Sequence, residues 1–161
     1  MRKVLVLTIV FLIVVAVFWF GSRPPSDETV MAIYQEHHDA MTQLAKLYQE
    51  DQVGMAVRKN GSILPTDAAD RLSAERLDRY KALVKEIGVT RSLGGSAEGY
   101  MTLQIFNLIP LTPIKTLEYS PMPPTLVTSE NTDDYVFSAE QYRRVCRPIE
   151  DAWYVCLDYE D

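Results

Sequence analysis

From Val4 to Phe20 the chain is apolar at every position except Thr8. As a helix, a run of this length rises about 25 Å, close to the hydrocarbon core that roughly 20 residues cross. Gly21 and Ser22 can lengthen it, and Trp19 and Phe20 suit the interface, where amphipathic aromatic rings settle. A cleaved leader is the competing reading. Its apolar stretch covers about 7–15 residues and ends in a small-x-small site. Here the run is longer and ends Val17-Phe18-Trp19-Phe20-Gly21-Ser22, with bulky residues where a peptidase needs small ones. No Cys follows to carry a lipid. An uncleaved anchor over residues 1–23, crossing through residues 4–20, is therefore expected. Arg2 and Lys3 precede the run, and Asp27 and Glu28 follow soon after Arg23. The positive-inside rule then puts the N-terminus in the cytoplasm and residues 24–161 outside it, in the periplasm of a bacterium.

Residues 24–161 are the length of one domain, enough for a single core. They hold 13 basic and 22 acidic residues, a formal charge of −9. Such a surface repels phosphate backbones and anionic headgroups, which disfavours nucleic acid, and attracts a basic protein. A bland alternative is that the charge only keeps the domain soluble. The two cysteines, Cys146 and Cys156, are expected to bridge in an oxidising compartment. Register decides whether they can. A two-residue turn at Glu150-Asp151 sets Cys146 opposite Val155, with Cys156 on the other face. A three-residue loop, Glu150-Asp151-Ala152, sets Cys146 opposite Cys156.

Pro24 and Pro25 stop the membrane helix and leave a spacer of only a few residues. A helix is expected over about Asp27–Glu50. Ser26 or Asp27 can cap it, and Asp27 and Glu28 suit the positive end of the helix dipole. Its apolar stripe comprises Val30, Ile33/Tyr34, His37, Met41, Leu44 and Leu47/Tyr48. That stripe fits packing on a sheet better than a dimer seam, which needs sustained heptads. Gln52–Asp70 is expected to be a loop or small hairpin turning at Asn60-Gly61. A second helix, Ala74–Ile87, has Ser73 as cap, Leu77, Tyr80, Leu83/Val84 and Ile87 as stripe, and Gly88 as stop. Beyond it the period changes. Strands are expected at Val89–Leu93, Tyr100–Ile109, Ile114–Ser120, Tyr142–Ile149 and Trp153–Asp158. Gly94–Gly99 is expected to be a tight turn, Pro121–Thr128 an extended stretch, and Ser129–Asp134 a polar loop. The expected fold is α+β: the membrane helix, then two helices packed on a small antiparallel sheet.

Chemistry-bearing patterns are sparse. Glu36-His37-His38-Asp39 holds the only histidines, and neighbours on a helix diverge by about 100°. Zinc needs three or four convergent ligands, so no metal site is expected. Gly94-Gly95-Ser96-Ala97-Glu98-Gly99 lacks the ending of a phosphate loop, and no serine lies in a G-x-S-x-G elbow. No catalytic residue and no cofactor are expected, and an unrecognised hydrolase is a remote alternative. Arg143, Arg144 and Arg147 form the one basic cluster. They can meet an acidic group of a partner, or pair across strands with Glu150, Asp151 or Asp158.

Glu118-Tyr119-Ser120-Pro121, Pro123-Pro124, Leu126-Val127, Tyr142-Arg143, Ile149-Glu150 and Trp153-Tyr154 resemble a pattern in small uncharacterised bacterial membrane-anchored or exported proteins. Tyr48-Gln49-Glu50-Asp51 and Arg79-Tyr80 through Lys85-Glu86-Ile87-Gly88 are similar as well, so the resemblance covers about residues 44–159. It implies a bacterial source and this fold, and it implies no activity. Asp151 departs from the glycine usual at that turn, which favours the longer loop.

These readings point to a membrane-anchored periplasmic domain that binds a basic protein. An inhibitor or immunity-type protein against an envelope-active partner is the concrete version. A structural or assembly subunit of an envelope complex is the alternative. The oligomeric state is left open.

Overall fold

Ser26 opens the first helix, α1 (Asp27–Asp51), by accepting a hydrogen bond from the Thr29 N–H at 3.2 Å. The computed structural model describes residues 24–94, 99–105, 114–125, 127–128, 131–135 and 144–158, together with Thr8 and Phe11. Among the described residues no helix is long and apolar enough to cross a membrane. The expected anchor at 4–20 lies outside them, apart from Thr8 and Phe11, as do Arg143, most of the Gly94–Gly99 segment and the second half of Tyr100–Ile109.

After α1 come β1 (Met55–Arg58) and β2 (Ile63–Leu64), a hairpin that turns at Asn60-Gly61. Asn60 Oδ1 accepts from the Ser62 N–H at 3.0 Å, and Gly61 supplies the φ of +80° that the turn needs. A single helical turn, α2 (Thr66–Ala69), leads to α3 (Ala74–Ile87), so the described residues from 24 onward hold three α-helices where two were expected. The limits of α3 follow its sequence signals. Ser73 Oγ accepts from the Arg76 N–H, and Gly88 ends the helix at φ 76°.

The sheet is larger than expected. Strands β3 (Arg91–Gly94), β4 (Met101–Gln104), β5 (Ile114–Tyr119), β6 (Arg144–Pro148) and β7 (Trp153–Asp158) join β1 and β2 in one antiparallel sheet, ordered β2-β1-β3-β4-β5-β7-β6. Alternation sorts its two faces. Met55, Val57, Met101, Leu103, Leu117, Trp153 and Val155 point to the helices and form one core with Met41, Leu44, Tyr48, Tyr80, Leu83 and Val84. Ala56, Thr116, Glu118, Tyr154 and both cysteines lie on the other face by register, and all are buried. The expected polar loop at Ser129–Asp134 contains a 3-10 turn, Thr132–Asp134. Just before it, Val127 pairs in parallel with Cys146 on the outer edge of β6.

The β6–β7 hairpin takes the three-residue loop. Ile149 bonds to Trp153, Asp151 and Ala152 adopt φ of 44° and 67°, and Cys146 stands directly opposite Cys156 with Cα atoms 4.1 Å apart. The two sulfurs are at bonding distance.

The apolar stripe of α1 is broken where the helical period predicts continuity. His37 has φ −118° and ψ 17°, and the helix kinks there. Its side chain remains partly exposed, while Val30, Tyr34, Met41, Leu44 and Tyr48 are buried. Neither Pro nor Gly is present to cause the bend. On either side of the bend, Tyr34 lies against Trp153 of β7 and Tyr48 lies against Gly94 of β3.

Candidate functional site

Three groups of polar side chains are organised by this fold. The first joins the start of α1 to the far end of the chain. Asp27 was expected to interact with the helix dipole, but its carboxylate turns inward and is 1 % exposed. It accepts from the Thr132 N–H at 2.9 Å and from the Thr132 hydroxyl. Lys115 Nζ donates to it at 2.7 Å, and Arg147 reaches it at 3.3 Å. The Lys115 ammonium is fully buried and also bonds to Asp133, which in turn accepts from the Asp27 N–H at 3.0 Å. Burial pushes the Asp27 carboxyl up, but the bonds from Lys115 and Thr132 outweigh it and hold the group below its ordinary value.

The second group lies on the opposite face of the sheet. Glu118 is buried beside the disulfide, bonded to Thr116 and paired with Arg144, which also meets Asp158 across the strands at 3.5 Å. Glu118, Cys146 and Cys156 bring potential ligand atoms within 4.8 Å of one another, but the two sulfurs bond to each other, leaving a disulfide beside a carboxylate. Burial raises the Glu118 carboxyl above its ordinary value despite Arg144. A group shifted upward contributes stability below its unfolded pKa and loses it as pH rises through the folded value. Glu118→Gln is therefore expected to flatten the stability profile on the alkaline side of pH 4.5 without lowering stability at pH 7. Urea unfolding at several pH values checks this. A loss above about 1 kcal/mol at pH 7 would show that the Arg144 pairing outweighs the burial.

The third group gathers where α1 kinks. Tyr34 meets His38 edge-on with ring centroids 5.3 Å apart, and meets Trp153 at 5.5 Å. Trp153 meets Tyr119 at 5.5 Å, and the Tyr119 hydroxyl accepts from Gln49. Over these rings sits the turn carrying Glu150 and Asp151, both exposed. Tyr34 is 1 % exposed, and among the described residues its hydroxyl makes no hydrogen bond of normal geometry. Burial and then the nearby Glu150 carboxylate raise its pKa. His38 Nδ1 lies 3.3 Å from Asp39, so a further carboxylate borders the same place.

Of the three arginines singled out in the sequence, Arg144 and Arg147 lie on opposite faces of β6, and each pairs with an acid of its own chain. Arg143 is outside the described residues. His37 and His38 diverge, one toward Glu36 and the other toward Asp39. Asp27, Lys115, Asp133, Glu118 and the Tyr34–Trp153 pair were not singled out. One signal was there to be read. Along β5, Lys115 shares the parity of Leu117 and Tyr119, which marks an inward-facing charge in need of a partner.

An open groove of about 550 Å³ runs along the first half of α3, lined by Ser73, Glu75, Arg76, Asp78, Arg79 and Ala82. Its cations are held from α1. Arg76 pairs with Glu50 and with Asp51 at 2.8 Å, and Arg79 bonds to Gln43. No protein-family model, curated protein or solved structure matches the chain.

Proposed function

We propose that this chain is a membrane-anchored domain, held outside the cytoplasm on a short spacer, that binds a basic protein. The single observation that carries the reading is how the cations are used. Arg76, Lys115, Arg144 and Arg147 pair with acids of their own chain. Meanwhile Glu28, Glu75, Glu86, Glu150 and Asp151 are exposed, and among the described residues none pairs with a cation. Of the other exposed cations without an acidic partner among the described residues, Arg58 and Lys59 lie near Arg91 at one end of β1 and β3, Arg71 lies before α3, and Arg79 and Lys85 lie on α3. The Glu150–Asp151 turn lies at the other end of the strands, beside the row formed by Gly94, Met101, Tyr119 and Trp153. The Glu150–Asp151 end of the strands thus carries acids without a cation among the described residues, and an uncompensated acidic patch steers a partner of opposite sign. An inhibitor or immunity-type role is the form of this reading that fits a small acidic domain fixed at a membrane.

Affinity capture of tagged full-length protein after mild crosslinking in its own cells tests it. The expected result is one stoichiometric partner with a basic surface. Its recovery should fall steeply from about 0.1 M to about 1 M salt, as the screening length shrinks from about 10 Å to about 3 Å. Recovery of the protein only with copies of itself, or of a partner indifferent to salt, would remove the reading and favour an assembly role.

A further inference from the structure

Resting on the proposal of a basic partner, we infer that a lysine or arginine side chain of that partner docks at the kink of α1, between His38 and the Glu150–Asp151 turn and above Tyr34.

Three observations meet at this place. The Glu150 and Asp151 carboxylates are exposed, with no cation of the described residues against them. Beneath them the Tyr34 hydroxyl is buried and makes no hydrogen bond of normal geometry among the described residues, with the Glu150 carboxylate at the margin of its reach. A buried hydroxyl normally finds a partner, and leaving one without costs stability. It is therefore a group to be explained. Around it stand aromatic rings, with Tyr34 packed on both His38 and Trp153.

An ammonium or guanidinium suits all three. Lysine carries three donors and no acceptor, and arginine carries five donors. Such a head can donate to the phenol oxygen and to both carboxylates together, which a neutral or anionic group cannot do. Aromatic faces favour a cation close by. The kink contributes as well. In a straight α1 the stripe would run on through residue 37, whereas here His37 leaves helical geometry and His38 stands half-exposed beside Tyr34.

The probe is a seven-lysine peptide titrated into full-length protein in uncharged detergent, followed by the indole N–H signal of Trp153. That signal is told from Trp19 with Trp19→Phe. The expected result is a saturable shift at Trp153 and His38. In a Glu150→Gln/Asp151→Asn variant the binding should weaken about tenfold, the size of two exposed ion pairs. Asparagine tolerates the left-handed backbone of position 151, so that variant keeps the turn. Tyr34→Phe should weaken binding several-fold with little change in the melting temperature, because the hydroxyl makes no hydrogen bond of normal geometry among the described residues. Glu86→Gln, on α3, should change nothing. If the peptide binds but its shifts spread over the acidic surface, or both variants bind as tightly as the native protein, this docking point is overturned while the basic-partner reading stands. If the native protein binds no peptide, the docking point and the electrostatic case for a basic partner fall together.

Discussion

Asp27→Asn is expected to cost about 3–5 kcal/mol of folding stability, the range for breaking a buried ion pair from one side. Asparagine keeps one acceptor oxygen for Thr132 but removes the charge opposite Lys115. The ammonium, with no exposed surface, is left with Asp133 alone. Lys115→Met is expected to cost less, because Asp27 keeps both Thr132 donors and Arg147. In the Asp27→Asn/Lys115→Met double variant part of the loss should return, since an amide oxygen still accepts from Thr132 and no unpaired ammonium is left buried. Urea unfolding of the four proteins measures the coupling. Single losses under about 1 kcal/mol would show that water or rearrangement already relieves the site. The pH dependence has a fixed sign. The Asp27 carboxyl is lowered from 3.8, so its contribution is present above pH 3.8 and disappears as pH falls through the folded value. Wild type should lose that increment in strong acid, and Asp27→Asn should not.

The second large effect is expected at Gly94. A Cβ there would sit 1.9 Å from Cδ1 of Tyr48 and 2.3 Å from Cε1, inside the ring's own space. Tyr48 cannot yield cheaply. It is fully buried, its hydroxyl bonds Ser92 at 2.9 Å, and its ring packs on Tyr80 at 4.9 Å. Gly94→Ala should cost about 3 kcal/mol, the upper part of the range for overpacking a core. Tyr48→Leu alone should be destabilising, yet in its background Gly94→Ala should cost much less, because the clashing atoms are gone. Thermal unfolding of the cycle decides the matter. Additive losses would mean that the strand, not the ring, rejects the methyl group.

Gly94 also shows why parts of the fold were hard to read in advance. Beside Gly95 and Gly99 it has the composition of a turn, and only the ring of a residue 46 positions earlier reveals that the strand continues. Where the determinants are local, sequence and structure agree. Ser73 and Gly88 bound α3, Asn60-Gly61 turns the first hairpin, and the spacing of Cys146 and Cys156 fits a three-residue loop. Where they are distant, they do not. Asp27 looks like a helix-terminal acid until Lys115 and Thr132 are brought to it. The bend at His37 carries no Pro or Gly signal, and the residues on its two sides, Tyr34 and Tyr48, pack on different strands. The docking point at Tyr34 was illegible for the same reason, since its two halves lie on α1 and on the last hairpin.

The place of β7 between β5 and β6 has a genetic consequence. The last strand in the chain fills an interior position, and Trp153 and Val155 complete the core from there. As the polypeptide is synthesised, β5 keeps one edge open until Asp158 has emerged, and the disulfide partner of Cys146 arrives only two residues earlier. A chain cut short between Cys146 and Trp153 would be left with a bare β5 edge, an unbridged Cys146 thiol and no β7. Nonsense lesions between those two residues should therefore be as damaging as lesions far upstream of them.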